Sequence, residues 1–231
     1  MDSVEQVIDS SYESFYAKRT HSKVYPTEFV VRTFLAQYPN LKFKKPLPGD
    51  RVLDSAFGDG RNTAFLCEQD LNVSGFEISQ SIVDQTNERL KKLGHRADLR
   101  VGRNSHIPWN DTYFDYILAC SCCYYCDEGN TLADNLIEYA RVLKSGGYFI
   151  ASVASKRSFI FRESTALADG SFRITADPYG CRNGYRLHAF GEKCELEDYF
   201  SPWFMNFSFG MVENDYYGIE ERLFWVVCQK K

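Results

Sequence analysis

Residues 51–62, RVLDSAFGDGRN, decide the fold. A short apolar run ends in Asp54. Four residues later comes Gly58-Asp59-Gly60, followed by a segment able to open a helix. Glycine at those positions lets the backbone turn sharply and approach a ligand closely. In an open α/β sheet, ligands bind just beyond the carboxyl ends of the strands, where strand order reverses.

The pattern around this stretch is a strand–helix alternation. RVLDSA reads as a buried strand, RNTAFLCEQD as a helix and NVSGFE as a second strand. SQSIVDQTNERLKKLG reads as a helix with Ser79 or Ser81 as its cap and Gly94 as its stop. DLRVG and YFDYILACSC read as strands. TLADNLIEYARVLKSGG reads as a helix ending at Gly146-Gly147, and YFIASVA as the next strand. Such alternation builds a parallel sheet with helices on both faces. Ahead of it, residues 2–18 and 26–38 space apolar residues by three and four and read as helices, the second opened by Pro26. Past Ser155 the chain is polar and turn-rich. FMNFSFGMV and RLFWVVCQ then suit a hairpin at the sheet edge.

The chain has 231 residues, 44% hydrophobic and 25% charged, which suits one sizeable α/β core with an added cap. Its formal net charge of −4 argues against a general nucleic-acid binder. No run of about 18 apolar residues predicts a membrane span. The N-terminus is polar and acidic, unlike a signal peptide, so the eight cysteines read as reduced thiols of a cytoplasmic protein.

A GxG turn suits a dinucleotide or S-adenosylmethionine. The third glycine of the dinucleotide fingerprint is replaced by Thr63. A carboxylate at Asp54 would repel a pyrophosphate but suits a ligand with a cationic amino-acid end. Glu77 closes the second strand, where it can accept both ribose hydroxyls, and Ile78 can pack on adenine. Taken in order, VLDSAFGDGRN, GFEIS, VGRNSHIPWNDTYFDYIL and ARVLKSGGYFIAS resemble the successive motifs of the class I S-adenosylmethionine-dependent methyltransferases over residues 51–153. The resemblance implies cofactor contacts from Asp54, Ala56, Gly58, Gly60, Asn62, Glu77, Ile78 and Cys120. Ala56 stands where the family has its first glycine. Arg103 stands where it has an acid that accepts from the adenine amino group. Asn104 and Ser105 are the nearest replacements, Asn104 the better because an amide both donates and accepts. Ser145 replaces the usual proline of KPGG.

Other candidates are less fixed by pattern. Tyr25 and Arg32, in YPTEFVVRTF, can close over the cofactor, with Arg32 meeting its carboxylate in a bidentate pair. CSCCYYC has one CxxC spacing but no second pair, so it reads as buried thiols rather than a metal site. Tyr124 and Tyr125 follow the fourth strand, where such enzymes often face the acceptor: Tyr124 is a catalytic candidate and Tyr125 a substrate contact. Of the histidines, His21, His95, His106 and His188, the last is the candidate general base. Residues 155–190 hold six basic against three acidic side chains, which suggests an anion-binding cap using Arg157, Arg162, Arg173 and Arg186.

The sequence therefore predicts one Rossmann-like, doubly wound and mostly parallel seven-stranded domain with an antiparallel C-terminal edge hairpin. Residues 1–45 would form a helical lid, 46–154 the cofactor core, 155–200 the substrate-side cap and 201–231 the hairpin. S-adenosyl-L-methionine is the expected cofactor and no metal is expected. The expected acceptor is a small molecule, methylated on oxygen or nitrogen, that can be anionic or phosphorylated. Nucleic acid and membrane are not expected partners, and oligomeric state stays open. An RNA or protein methyltransferase would instead show an extended basic face. A non-catalytic S-adenosylmethionine-binding partner protein would bind cofactor without turnover. A dehydrogenase would bind NAD.

Overall fold

The computed structural model describes residues 4–19 and 23–231, with side chains from Asp9 onward in the first helix. Residues 2 and 3 of the first predicted helix, and His21, lie outside the described residues. Helices α1 (Val4–Ala17) and α2 (Glu28–Leu35) precede β1 (Arg51–Ser55). The alternation then runs α3 (Arg61–Glu68), β2 (Asn72–Glu77), α4 (Gln80–Lys92), β3 (Asp98–Val101) and β4 (Phe114–Cys120). A two-residue β5 (Tyr125–Cys126), α5 (Leu132–Val142) and β6 (Leu143–Ala154) follow.

Local signals set several boundaries. Of the two possible caps of α4, the structure uses Ser79, whose hydroxyl accepts from the Ile82 amide. Gly94, at φ +81°, follows its end. Helix α5 opens with a capping box between Thr131 and Asp134. It stops at Val142 rather than at Gly146-Gly147, because Leu143 already pairs with Phe114 at the start of β6. The register shifts before the Tyr116–Tyr148 pair, and Gly146, at φ +75°, lies within that irregularity.

The main sheet has seven strands in the order β10-β11-β6-β4-β1-β2-β3. Strands β1, β2, β3, β4 and β6 are parallel. The antiparallel β10 (Phe204–Tyr216) and β11 (Ile219–Lys230) complete one edge, longer than the expected hairpin strands. This is the predicted fold. Strand order switches at β1, which pairs with both β2 and β4. One face buries α2 and α3 through Phe29, Phe34, Phe65 and Leu66, and the other buries α5 through Leu136 and Tyr139.

The cap is more ordered than its composition suggests. Strands β7 (Ser164–Ala166), β8 (Ser171–Ile174) and β9 (Arg186–His188) form a second sheet in the order β5-β9-β8-β7, and α6 (Lys193–Phe200) leads back to β10. Strand β5, just past the end of β4, thus ties the cap to the core.

Candidate functional site

A cavity of about 170 Å³ opens at the carboxyl ends of β1, β2 and β4. From the core it is lined by Ala56, Glu77, Ile78 and Cys120; from α1 by Tyr12 and Tyr16; from the cap by Arg182 and Tyr185. The turn after β1 makes this possible. Ala56 takes φ +48°, Gly58 +57° and Gly60 +74°, left-handed conformations natural to glycine and costly for alanine. A methyl group added at Gly58 would collide with the Tyr16 phenol, so α1 lies directly on the turn.

Two buried carboxylates adjoin this turn, of which Glu77 lines the cavity and Asp54 does not. Glu77 accepts from the Gly58 amide at 3.0 Å and the Ile78 amide at 2.8 Å. Burial pushes its pKa up to about 7 despite those bonds. Asp54 accepts from the Thr63 hydroxyl at 2.7 Å, and its Oδ1 has no described partner. Burial also pushes Asp54 up to about 7; the Thr63 bond opposes this, while Glu77 and Asp59 add to it. A buried, half-satisfied carboxylate beside a glycine turn fits a cationic amino-acid end, so the residues present fit S-adenosylmethionine. Thr63, which replaces the dinucleotide glycine, is the partner that holds Asp54.

The structure places the remaining predicted residues unevenly. Asn62 accepts from the Thr27 amide and hydroxyl, so it ties α2 to α3 and does not line the cavity. Arg32 is half-exposed, donates to Glu28 and Tyr38, and lines a separate groove against the C-terminal hairpin; it does not reach the cofactor turn. Tyr25 is exposed and borders a depression of about 370 Å³ where Arg19, Lys23, Arg61 and Arg89 surround Asp59. Arg61 and Arg19 bond Asp59 at 2.5 and 2.9 Å and hold its carboxyl below the usual range against the opposing effect of burial. Arg61 directly follows the glycine turn, a sequence signal for an anion contact that Arg32 lacks.

Asn104 lines the cavity, yet its amide is committed. Nδ2 donates to the Cys122 and Tyr125 carbonyls, and Oδ1 accepts from Tyr139 at 2.6 Å. Its carbonyl oxygen is thus already engaged by Tyr139. Ser105 donates to Asp127. Tyr124 is fully buried behind Tyr125, away from the cavity wall. His188 also misses the cavity. It packs against Phe190 and Tyr199, and burial lowers its pKa. Cys122, Cys123 and Cys126 are buried thiols raised by burial. Among the described residues no group of His, Cys, Asp or Glu is placed to hold a metal.

Of the cap arginines, Arg162 pairs with Glu220, Arg173 with Glu128, and Arg186 with Asp169 and Glu128, while Arg157 is exposed. None lines the cavity; Arg182 does. Its Nε donates to the Tyr125 hydroxyl at 2.8 Å, and its Nη1 bonds the fully buried carboxylate of Asp177. Burial draws the guanidinium pKa down, but Tyr125, Tyr12, Cys181 and Asp177 more than offset it. Tyr12 in turn hydrogen-bonds Tyr125. Lid, core and cap thus meet at Tyr125.

Residues 53–151 match a methyltransferase domain family. No curated protein sequence matches the chain. Several solved structures share the fold. An S-adenosylmethionine-dependent methyltransferase from Methanosarcina mazei is 20% identical, covers 85% of this chain and 99% of its own, with a TM-score of 0.61. A Pyrococcus horikoshii protein is 18% identical over 93% of this chain and 98% of its own, TM-score 0.63. A Burkholderia thailandensis 1,6-didemethyltoxoflavin-N1-methyltransferase, solved with that compound and S-adenosylhomocysteine, is 15% identical over 100% of this chain and 92% of its own, TM-score 0.64.

Proposed function

From the match of residues 53–151 to a methyltransferase domain family, we propose that this protein is a class I S-adenosylmethionine-dependent methyltransferase that methylates an oxygen or nitrogen of a small polar acceptor in the cytoplasm. One observation carries the acceptor class. The cap's own sheet hangs Arg182 and Tyr185 over the ends of β1 and β4, so the acceptor side is a small walled space rather than an open face. The cytoplasmic reading rests on the eight free thiols.

The cofactor brings an already activated sulfonium methyl, so the chain's work is binding, alignment and exclusion of water. Glu77 takes the ribose hydroxyls, Ile78 supplies an apolar surface for the base, and the 56–60 turn lets the backbone approach. Asp54 faces the cationic amino-acid end, and Arg61, which directly follows the glycine turn, is the candidate cation for the cofactor's carboxylate. Arg182 and Tyr125 orient the acceptor. Because Arg162, Arg173 and Arg186 are paired with acids, an anionic or phosphorylated acceptor would be read by Arg182 rather than by a broad basic surface.

The test is transfer of labelled methyl from S-adenosylmethionine into a metabolite extract, with the product identified by mass. Labelled small molecules are the expected result. Label found only in RNA or protein would move the acceptor to those classes. Tight S-adenosylhomocysteine binding with no transfer into any fraction would favour a non-catalytic role.

A further inference from the structure

Arg103 occupies the position where the sequence motif calls for an acid, and the carbonyl oxygen of Asn104 already accepts from Tyr139. Yet the cavity holds one carboxylate besides Glu77: Asp127, which follows β5. We propose that Asp127 binds the exocyclic amino group of the cofactor's adenine and selects adenine over a 6-oxopurine. This rests on the methyltransferase reading above.

Three observations place it there. Glu77 and Ile78 adjoin at the end of β2, so a base whose ribose is held by Glu77 lies along Ile78. The Gly102 amide donates to the Glu77 carbonyl at 2.9 Å, which brings the chain leaving β3, residues 103–105, beside that strand end. Asp127 reaches the same point from the far side: its Oδ1 accepts from Arg103 Nη1 at 3.0 Å and its Oδ2 from Ser105 Oγ at 3.1 Å.

The chemistry is selective. Arg103 can only donate, whereas each oxygen of an ionised carboxylate can accept more than one bond. Asp127 therefore keeps acceptor capacity while Arg103 and Ser105 fix its orientation. Arg103 also pairs with Asp9 at 2.6 Å. Arg103 divides its charge between two carboxylates, and the acceptor-only carboxylate of Asp127 favours an amino group and disfavours a carbonyl. Arg103 thus clamps an acid supplied from 24 residues further along the chain.

The experiment is calorimetric binding of S-adenosylhomocysteine and S-inosylhomocysteine, the second carrying a carbonyl in place of the amino group. The wild-type chain should bind the adenosyl compound at least about tenfold more tightly, the effect of one charge-assisted bond. In Asp127→Asn, whose amide can donate to a carbonyl, the ratio should fall to roughly threefold or less. Glu68→Gln, at an exposed carboxylate that does not line the cavity, should retain the wild-type preference. Thermal melts establish that each variant folds. The wild-type ratio is decisive even if Asp127→Asn does not fold: equal binding, or preference for the inosyl compound, overturns the assignment. A folded Asp127→Asn chain with the wild-type ratio also overturns it. In these outcomes the methyltransferase reading stands; if the wild-type chain binds neither compound, both fall.

Discussion

Replacing Asp54 with asparagine should flatten the dependence of stability on pH. In the unfolded chain Asp54 titrates near 3.8; in the fold, burial raises it to about 7. A carboxyl whose folded pKa is raised binds more protons in the native state, so its contribution is fully present below the unfolded pKa and is lost as pH rises through the folded one. Between pH 5 and pH 8 that shift removes roughly 2.5 kcal/mol. Glu77, raised from 4.5 to about 7 by burial, loses a similar amount in the same window. The ligand-free wild-type protein should therefore lose on the order of 5 kcal/mol from pH 5 to pH 8, and Asp54→Asn about half of that. The asparagine carbonyl can still accept from Thr63. Its amino group would replace an oxygen that has no described partner, a penalty common to all pH values that leaves the slope unaffected. Urea unfolding at pH 5, 6, 7 and 8 measures both slopes. Parallel profiles would refute the idea that Asp54 is held as a buried acid.

Tyr16→Ala should bind S-adenosylhomocysteine more tightly than wild type, by roughly threefold or more. The cavity of about 170 Å³ is smaller than the ~300 Å³ at the low end of ligand pockets, and Tyr16 fills the space over Gly58; weaker binding on calorimetry would mean that Tyr16 supports the ligand instead. Ala56→Gly should stabilise the protein by about 0.5–1 kcal/mol. Release of a left-handed alanine, about 1–2 kcal/mol, outweighs the extra backbone entropy of glycine, and a lowered urea midpoint would contradict this. Glu77→Ala should weaken S-adenosylhomocysteine binding at least tenfold in a folded chain, about 1.4 kcal/mol, and unchanged affinity would remove Glu77 as ribose ligand.

The sequence by itself determined the parallel sheet and the turn on which the site is built. Those features depend on contacts between near neighbours: the cap of Ser79 on Ile82, the left-handed turn at Gly58 and Gly60, and alternation of apolar runs that can be buried only between helices. Glu77 was legible for the same reason, since the end of a strand fixes which way the next residue must face. What the sequence could not supply was the path of the segments beyond the strands. Nothing around Arg32, in an amphipathic helix, or around Arg182, in a polar run, says which of them reaches the cavity. Packing of α2 against the hairpin turns the first outward, and pairing of β5 with β9 carries the cap that brings the second over the cavity. Asp127, just past β5, meets Arg103, just past β3, across 24 residues of chain. His188, on β9, is turned by the cap sheet into an aromatic cluster. Local conformational preference reaches a few residues along the chain, whereas the direction of a side chain on a long excursion is set by strands and helices that close on it from elsewhere.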